Sequence, residues 1–183
     1  MATETQETPR HLRLPPMGVL GPILALVVLV VIGTLLNSSF LAPANITNVL
    51  ARSAFIGIIA VGMTFVITAG GLDLSVGSMA AFIAGLMILV MNAALPALGV
   101  GVPIILLGML TALVAGLLAG LLNGFLITTL GIEAFIVTLG SMGIYRSLVT
   151  WLADGGTLSL DFGLRSFYRP VYFDGILGIS WPI

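Results

Sequence analysis

SAFIGIIAVGMTFVITAGGLDLSVGSMAAFIAGLMILVMN, residues 53–92, carries a single charged side chain, Asp73, between two apolar runs. A bilayer crossing takes roughly 20 apolar residues. The stretch therefore predicts two spans, about 53–69 and 79–92, joined by Gly70-Gly71-Leu72-Asp73-Leu74-Ser75-Val76-Gly77-Ser78. An Asp in the membrane interior costs roughly 2.5–3.5 kcal/mol on insertion scales. A helix N-terminus, with free N–H groups and the positive end of the dipole, offsets that cost. With Gly71 and Gly77 on either side and Ser75 and Ser78 following, the pattern predicts a broken or re-entrant backbone. Such backbone is tolerated at membrane depth only where it lines a cavity or is buried in protein. Two readings stay open: a segment beside a translocation path, or an N-cap and turn that hold spans 2 and 3 together.

The rest of the chain repeats the pattern. Hydrophobic residues make up 59% and charged ones 7%, against about 25% charged in a soluble domain. No charged residue lies between Arg13 and Arg52, or between Asp73 and Glu133. The expected fold is an all-α membrane protein. It is a polytopic helix bundle of about five spans, 18–36, 53–69, 79–92, 104–129 and 134–152, following a polar tail at residues 1–16. The run Met17–Leu36 exceeds a signal-peptide core of roughly 7–15 residues, and no cleavage site follows, so it reads as a retained first span. Thr47 or Asn48 is a candidate cap for span 2. Residues 153–180 are expected to form an aqueous or interfacial loop, with Asp154, Asp161, Arg165, Arg169 and Asp174 among aromatic residues. Gly175 to Ile183 turns apolar, and Trp181 suits the interfacial start of a sixth span. The sequence thus reads as a fragment, five spans with a cut sixth. Arg10 and Arg13 place the tail in the cytoplasm by the positive-inside rule, which puts the Asp73 segment inside and 153–180 outside. Arg165 and Arg169 oppose that orientation.

Several function classes fall away. The net charge is -1 with no basic field, so nucleic acid is not an expected partner. All six cations are Arg, so a nucleotide-binding loop that needs Lys is absent. There is no Cys, and one His, His11, in the tail; no metal or nucleophile constellation and no cofactor is expected. Glu133 reads as an interfacial helix-start carboxylate. Arg146, inside span 5, either snorkels to the interface or pairs with Asp73 or another bundle-facing acid. Gly116, Gly120 and Gly124 form a small-xxx-small stripe that lets helix backbones approach. Asn123 is either helix–helix glue or a pore residue. The candidates for the path or its helix break are Gly71, Asp73, Ser75, Gly77, Asn123 and Arg146.

The stretch Ala60-Val61-Gly62-Met63-Thr64 through Gly71-Leu72-Asp73-Leu74-Ser75-Val76-Gly77 resembles the ribose/xylose-type permeases of bacterial ABC importers. Phe40 to Leu50 is similar to that family's entry to span 2, and Asn123-Gly124 through Phe135-Ile136-Val137-Thr138-Leu139-Gly140 to a later segment. Together the matches cover about residues 37–160. The resemblance implies a multi-span permease of the bacterial inner membrane that imports a monosaccharide or similar small polar solute without covalent chemistry. It implies a second permease copy, cytoplasmic ATPase subunits and a periplasmic sugar-binding protein as partners. The family's ATPase-coupling segment is expected beyond residue 183. An ion-coupled secondary transporter or channel that uses Asp73 is the alternative, and a structural membrane subunit is the third reading.

Overall fold

The computed structural model describes residues 17–173, 175–176 and 179–180, with side chains over 20–168. The described residues form α1 (Met17–Leu36), α2 (Pro43–Thr68), α3 (Val76–Leu98), α4 (Val102–Thr128), α5 (Ala134–Leu152) and α6 (Phe162–Phe173). A two-residue pair, β1 (Gly175–Ile176) and β2 (Ile179–Ser180), follows, antiparallel with Gly175 opposite Ser180. Apart from that short pair, the regular structure of the described residues is helical, as expected. Helices α2 to α5 are long and apolar enough to cross a membrane, and α1 contributes the shorter apolar stretch Leu20–Leu36. At 1.5 Å per residue α4 is about 40 Å long, more than the roughly 30 Å hydrocarbon core.

The chain divides into two compact units, residues 1–49 and 50–183. In the first, α1 ends in a turn whose Asn37 side chain accepts the Ser39 N–H at 2.9 Å. Phe40 folds back on α1, so that a Cβ on Gly33 would lie 2.6 Å from its ring. Asn45 donates its side-chain amide to the Phe40 carbonyl at 2.7 Å. Helix α2 begins at Pro43, ahead of the span expected from Ser53. Proline suits a first helical position, where its missing N–H has no partner to lose. Thr47 and Asn48 therefore lie inside the helix and do not cap it. The Thr47 hydroxyl bonds back to the Pro43 carbonyl at 2.8 Å.

In the second unit α3 is the hub, packed against both α4 and α5, which touch each other far less. Glycine allows the close approach. A Cβ on Gly108 of α4 would lie 2.5 Å from Met91 Sδ of α3, and one on Gly85 of α3 3.3 Å from Val149 of α5. Phe82 stacks on Tyr145 with ring centroids 5.5 Å apart. Of the expected stripe, Gly116 meets only Ile83, at 3.5 Å, while Gly120 and Gly124 meet nothing within 4 Å. Within this chain the tighter approach of α4 to α3 is at Gly108, ahead of that stripe. Large apolar side chains face outward all along the spans, Ile58, Phe65 and Leu113 among them. Apolar surface of that extent is stable only against lipid or other apolar protein.

Residues expected as loop contain α6. Leu164 is 2% exposed and packs with Met91 and Ile104; Phe167 and Tyr168, three and four positions on, continue that face of the helix. The strap before α6 is held by Asn92. Its amide donates to the Ser159 carbonyl, and its oxygen accepts the Asp161 N–H, both at 2.9 Å. Gly175–Ile176 pairs as a strand and does not open a helix. The tail at 1–16 and the expected interfacial Trp181 lie outside the described residues.

Candidate functional site

The site begins where α2 stops. Gly70 takes φ +81, the Gly70 N–H bonds to the Ile67 carbonyl and the Gly71 N–H to Val66 at 3.0 Å. This is the Schellman closure, which needs a residue in the left-handed region and satisfies the last carbonyls. Gly71 is also the tighter of the two sites, since a Cβ there would sit 3.4 Å from the Val66 carbonyl oxygen.

Asp73 then folds onto its own chain. Its Oδ1 accepts the Ser75 N–H at 2.7 Å and the Ser75 hydroxyl at 2.6 Å. This is the side-chain turn that Asp forms two residues ahead of its partner. The sequence allowed Asp73 to cap the next helix; instead Ser75 occupies the N-cap position, and its side chain makes no cap bond. The first free N–H groups of α3 belong to Val76, Gly77 and Ser78. Gly77 lies there exposed, with open space where a Cβ would go.

The Ser75 hydroxyl carries the structure onward. Ser75 is fully buried. Asn123 of α4 donates Nδ2 to its Oγ at 3.2 Å, and Ser141 of α5 donates its hydroxyl to Asn123 Oδ1 at 2.6 Å. Beside them, Thr138 of α5, 1% exposed, donates to the Leu72 carbonyl at 3.2 Å. Burying such groups without partners costs about 1–3 kcal/mol each. Among the described residues no buried side-chain polar atom lacks one.

Five of the six sequence candidates are thereby placed at or beside the break: Gly71, Asp73, Ser75 and Gly77 on it, and Asn123 against it. Arg146 is apart. It is exposed on α5 and lines an open pocket with Ser147, Thr150, Trp151 and Asp154. It takes no part in the hydrogen-bonded chain at Asp73. Thr138 and Ser141 were not among the candidates. Their signal was the spacing: Val137, Thr138, Ser141 and Tyr145 recur at one face of α5, and all four are buried. Among the described residues no group of three or more His, Cys, Asp or Glu is placed to hold a metal ion.

Residues 45–170 match a family described as branched-chain amino acid transport system / permease component. The ribose import permease protein of Bacillus subtilis (strain 168) is 43% identical over 164 residues, which is 87% of this chain and 48% of that protein. The autoinducer 2 import system permease protein of Salmonella typhimurium is 32% identical over 87% of this chain and 44% of its own. The inner membrane ABC transporter permease protein YjfF of Escherichia coli (strain K12) is 36% identical over 79% of this chain and 39% of its own. The chain spans about half the length of the curated relatives it matches. No solved structure matches it.

Proposed function

The chain belongs to the branched-chain amino acid transport system / permease component family, and on that premise we propose that it lines part of the translocation path of an ABC importer. The solute is a monosaccharide or a similar small polar molecule, as the names of the ribose and autoinducer 2 relatives suggest. The family's printed description names branched-chain amino acids, so the solute is to be settled by assay. The chain sits in the bacterial inner membrane. It works with a second permease copy, cytoplasmic ATPase subunits that hydrolyse ATP, and a periplasmic binding protein.

The observation that carries the proposal is the way the irregular segment is held against two apolar helices. Asn123 lies five residues before the end of α4 and Ser141 seven after the start of α5, so Ser75 is tied about 8–10 Å along those helices from their ends. Backbone without helical bonds inside a bilayer is tolerated only in protein or beside a cavity. A path that must accept a polar solute supplies such a cavity, and the break then reads as a re-entrant segment bordering it. Gly71, Asp73, Ser75 and Gly77 are the path candidates; Asn123 acts as their support. Asn92 lies about 24 Å from Val76 along α3, so α6 and its strap are at the other end of the bundle. On the positive-inside orientation that end is periplasmic, where the exposed Phe162, Phe167 and Tyr168 are available to the binding protein.

The test is reconstitution of the full-length permease with its ATPase and binding protein in liposomes, with ATP hydrolysis measured across a panel of sugars and branched-chain amino acids. Stimulation by binding protein plus one solute is the expected result. Uptake driven by a Na⁺ or H⁺ gradient with no associating ATPase would overturn the proposal.

A further inference from the structure

We infer that Asn123 and Ser141 are positioning residues for the Asp73 carboxylate, acting through a hydrogen-bonded chain that runs in one direction only. The direction follows from the donor inventory of each group. Asp73 Oδ1 accepts the Ser75 N–H at 2.7 Å. Ser75 Oγ lies 2.6 Å from Asp73 Oδ1, so the single hydroxyl proton of Ser75 must lie between them. Ser75 Oγ is then left as an acceptor, and the group of Asn123 that meets it at 3.2 Å must be the amide Nδ2. The amide oxygen is thereby turned to Ser141, whose hydroxyl proton must point at it across 2.6 Å. Every proton in the chain is fixed by the acceptor at its far end, and the orientation of the Asn123 amide follows from it.

The converse also holds. Removing the Ser141 donor leaves Asn123 Oδ1 without its partner, so the amide keeps only one of the two bonds that hold it in place. The less firmly held amide gives weaker support to Ser75 Oγ, and the hydroxyl's bond to Asp73 shifts with it. A serine on α5 thus bears on a carboxylate on the linker before α3, 68 positions earlier in the sequence, although the two share no hydrogen bond. Asp73 Oδ1 is taken twice, by the Ser75 N–H and hydroxyl, whereas Oδ2 accepts no hydrogen bond from the described residues. One carboxylate oxygen is thus engaged by the chain, and the other has no hydrogen bond among the described residues. The functional consequence rests on the proposed reading of the break as a border of the path: Oδ2 is then the acceptor that a solute hydroxyl or water meets there, at an angle set from α4 and α5.

The experiment reads the carboxylate itself. In full-length protein with ¹³C-carboxyl aspartate, the infrared difference spectrum against Asp73→Asn isolates the Asp73 carboxylate stretching band. Ser75→Ala, which deletes the direct donor, calibrates the shift for one lost hydrogen bond. Ser141→Ala is expected to move the band in the same direction, Ser141→Thr to return it, and Ser147→Ala, a serine on the same helix but outside the chain, to leave it in place. Should Ser141→Ala fail to fold, Ser141→Cys keeps the volume and weakens the donor, and a smaller shift of the same sign is expected. A band unmoved by Ser141 substitution in folded protein overturns the inference, as does an equal shift from Ser147→Ala. Transport in the reconstituted importer separates the two claims. A moved band with unchanged binding-protein-stimulated uptake leaves the positioning chain standing and removes the break from the path.

Discussion

Replacing Gly108 with Ala tests where the bundle is tightest. The new Cβ would fall 2.5 Å from Met91 Sδ, 3.0 Å from Met91 Cγ and 3.2 Å from Met87 Cγ. Met91 cannot simply swing away, because it is 3% exposed and packed in the cluster with Ile104 and Leu164. Overpacking of a filled core costs about 1–3 kcal/mol. Alanine also gains about 1 kcal/mol over glycine in a helix interior, which would mask part of the loss. Gly120→Ala supplies the correction, since it lies on the same helix with nothing within 4 Å of its Cβ. Both substitutions carry the same propensity gain, so their difference isolates the steric cost, and Gly108→Ala should be the less stable by about 1–3 kcal/mol. Reversible unfolding of each variant in mixed micelles, followed by circular dichroism, measures that difference. Equal stability, or a Gly108→Ala variant more stable than Gly120→Ala, would refute the claim that Met91 leaves no room for a Cβ at Gly108.

Three further outcomes are expected. A double-mutant cycle between Asn123→Leu and Ser141→Ala should return a coupling of about 0.6–1.7 kcal/mol, the range measured for hydrogen bonds between membrane helices, in the same unfolding assay; a coupling of zero would show the 2.6 Å bond to be energetically idle. Gly70→Ala places a side chain at φ +81 and should lose about 1 kcal/mol of stability, while Gly57→Ala, in mid-helix with open space around its Cβ, should lose none. Asn92→Leu removes both bonds to the strap before α6 and should speed proteolysis at residues 153–161 several-fold, leaving the Asp73 carboxylate band unchanged at the other end of α3.

Much of this architecture is legible in the sequence because lipid imposes a coarse rule: long uncharged runs become helices, and one lone charge marks the place where they break. The pair Gly70-Gly71 ahead of Asp73 announced a helix stop, and the stop is there. What the Asp does was less legible. A carboxylate before a helix serves equally as a cap or as the start of a side-chain turn, and the choice depends on whether Ser75 is held by something else. That holder, Asn123, is 48 positions away and on another helix. Ser141 was hidden for the same reason. Helix α6 was missed because charge and aromatic content dominate its composition, although Leu164, Phe167 and Tyr168 recur at helical spacing. The glycines argue the same point in a more general way. Small residues show where helices can approach, and the packing partners decide where they do; within this chain Met87 and Met91 meet Gly108.

The polar groups of this chain also explain why a break can persist in a bundle with so small a buried core. A break between helices leaves backbone N–H and C=O groups that need partners. Here three separate devices hold the break: the left-handed Gly70 that ends α2, the Asp73 turn that reserves the Ser75 N–H, and the bonds from Asn123 and Thr138 that tie the segment to α4 and α5. The first two are local and would survive any rearrangement of the helices. The third is not, because its two contacts reach the segment from α4 and α5. On the proposed reading, a rearrangement of those helices would change the attachment while the Asp73–Ser75 turn, which needs neither of them, stays formed.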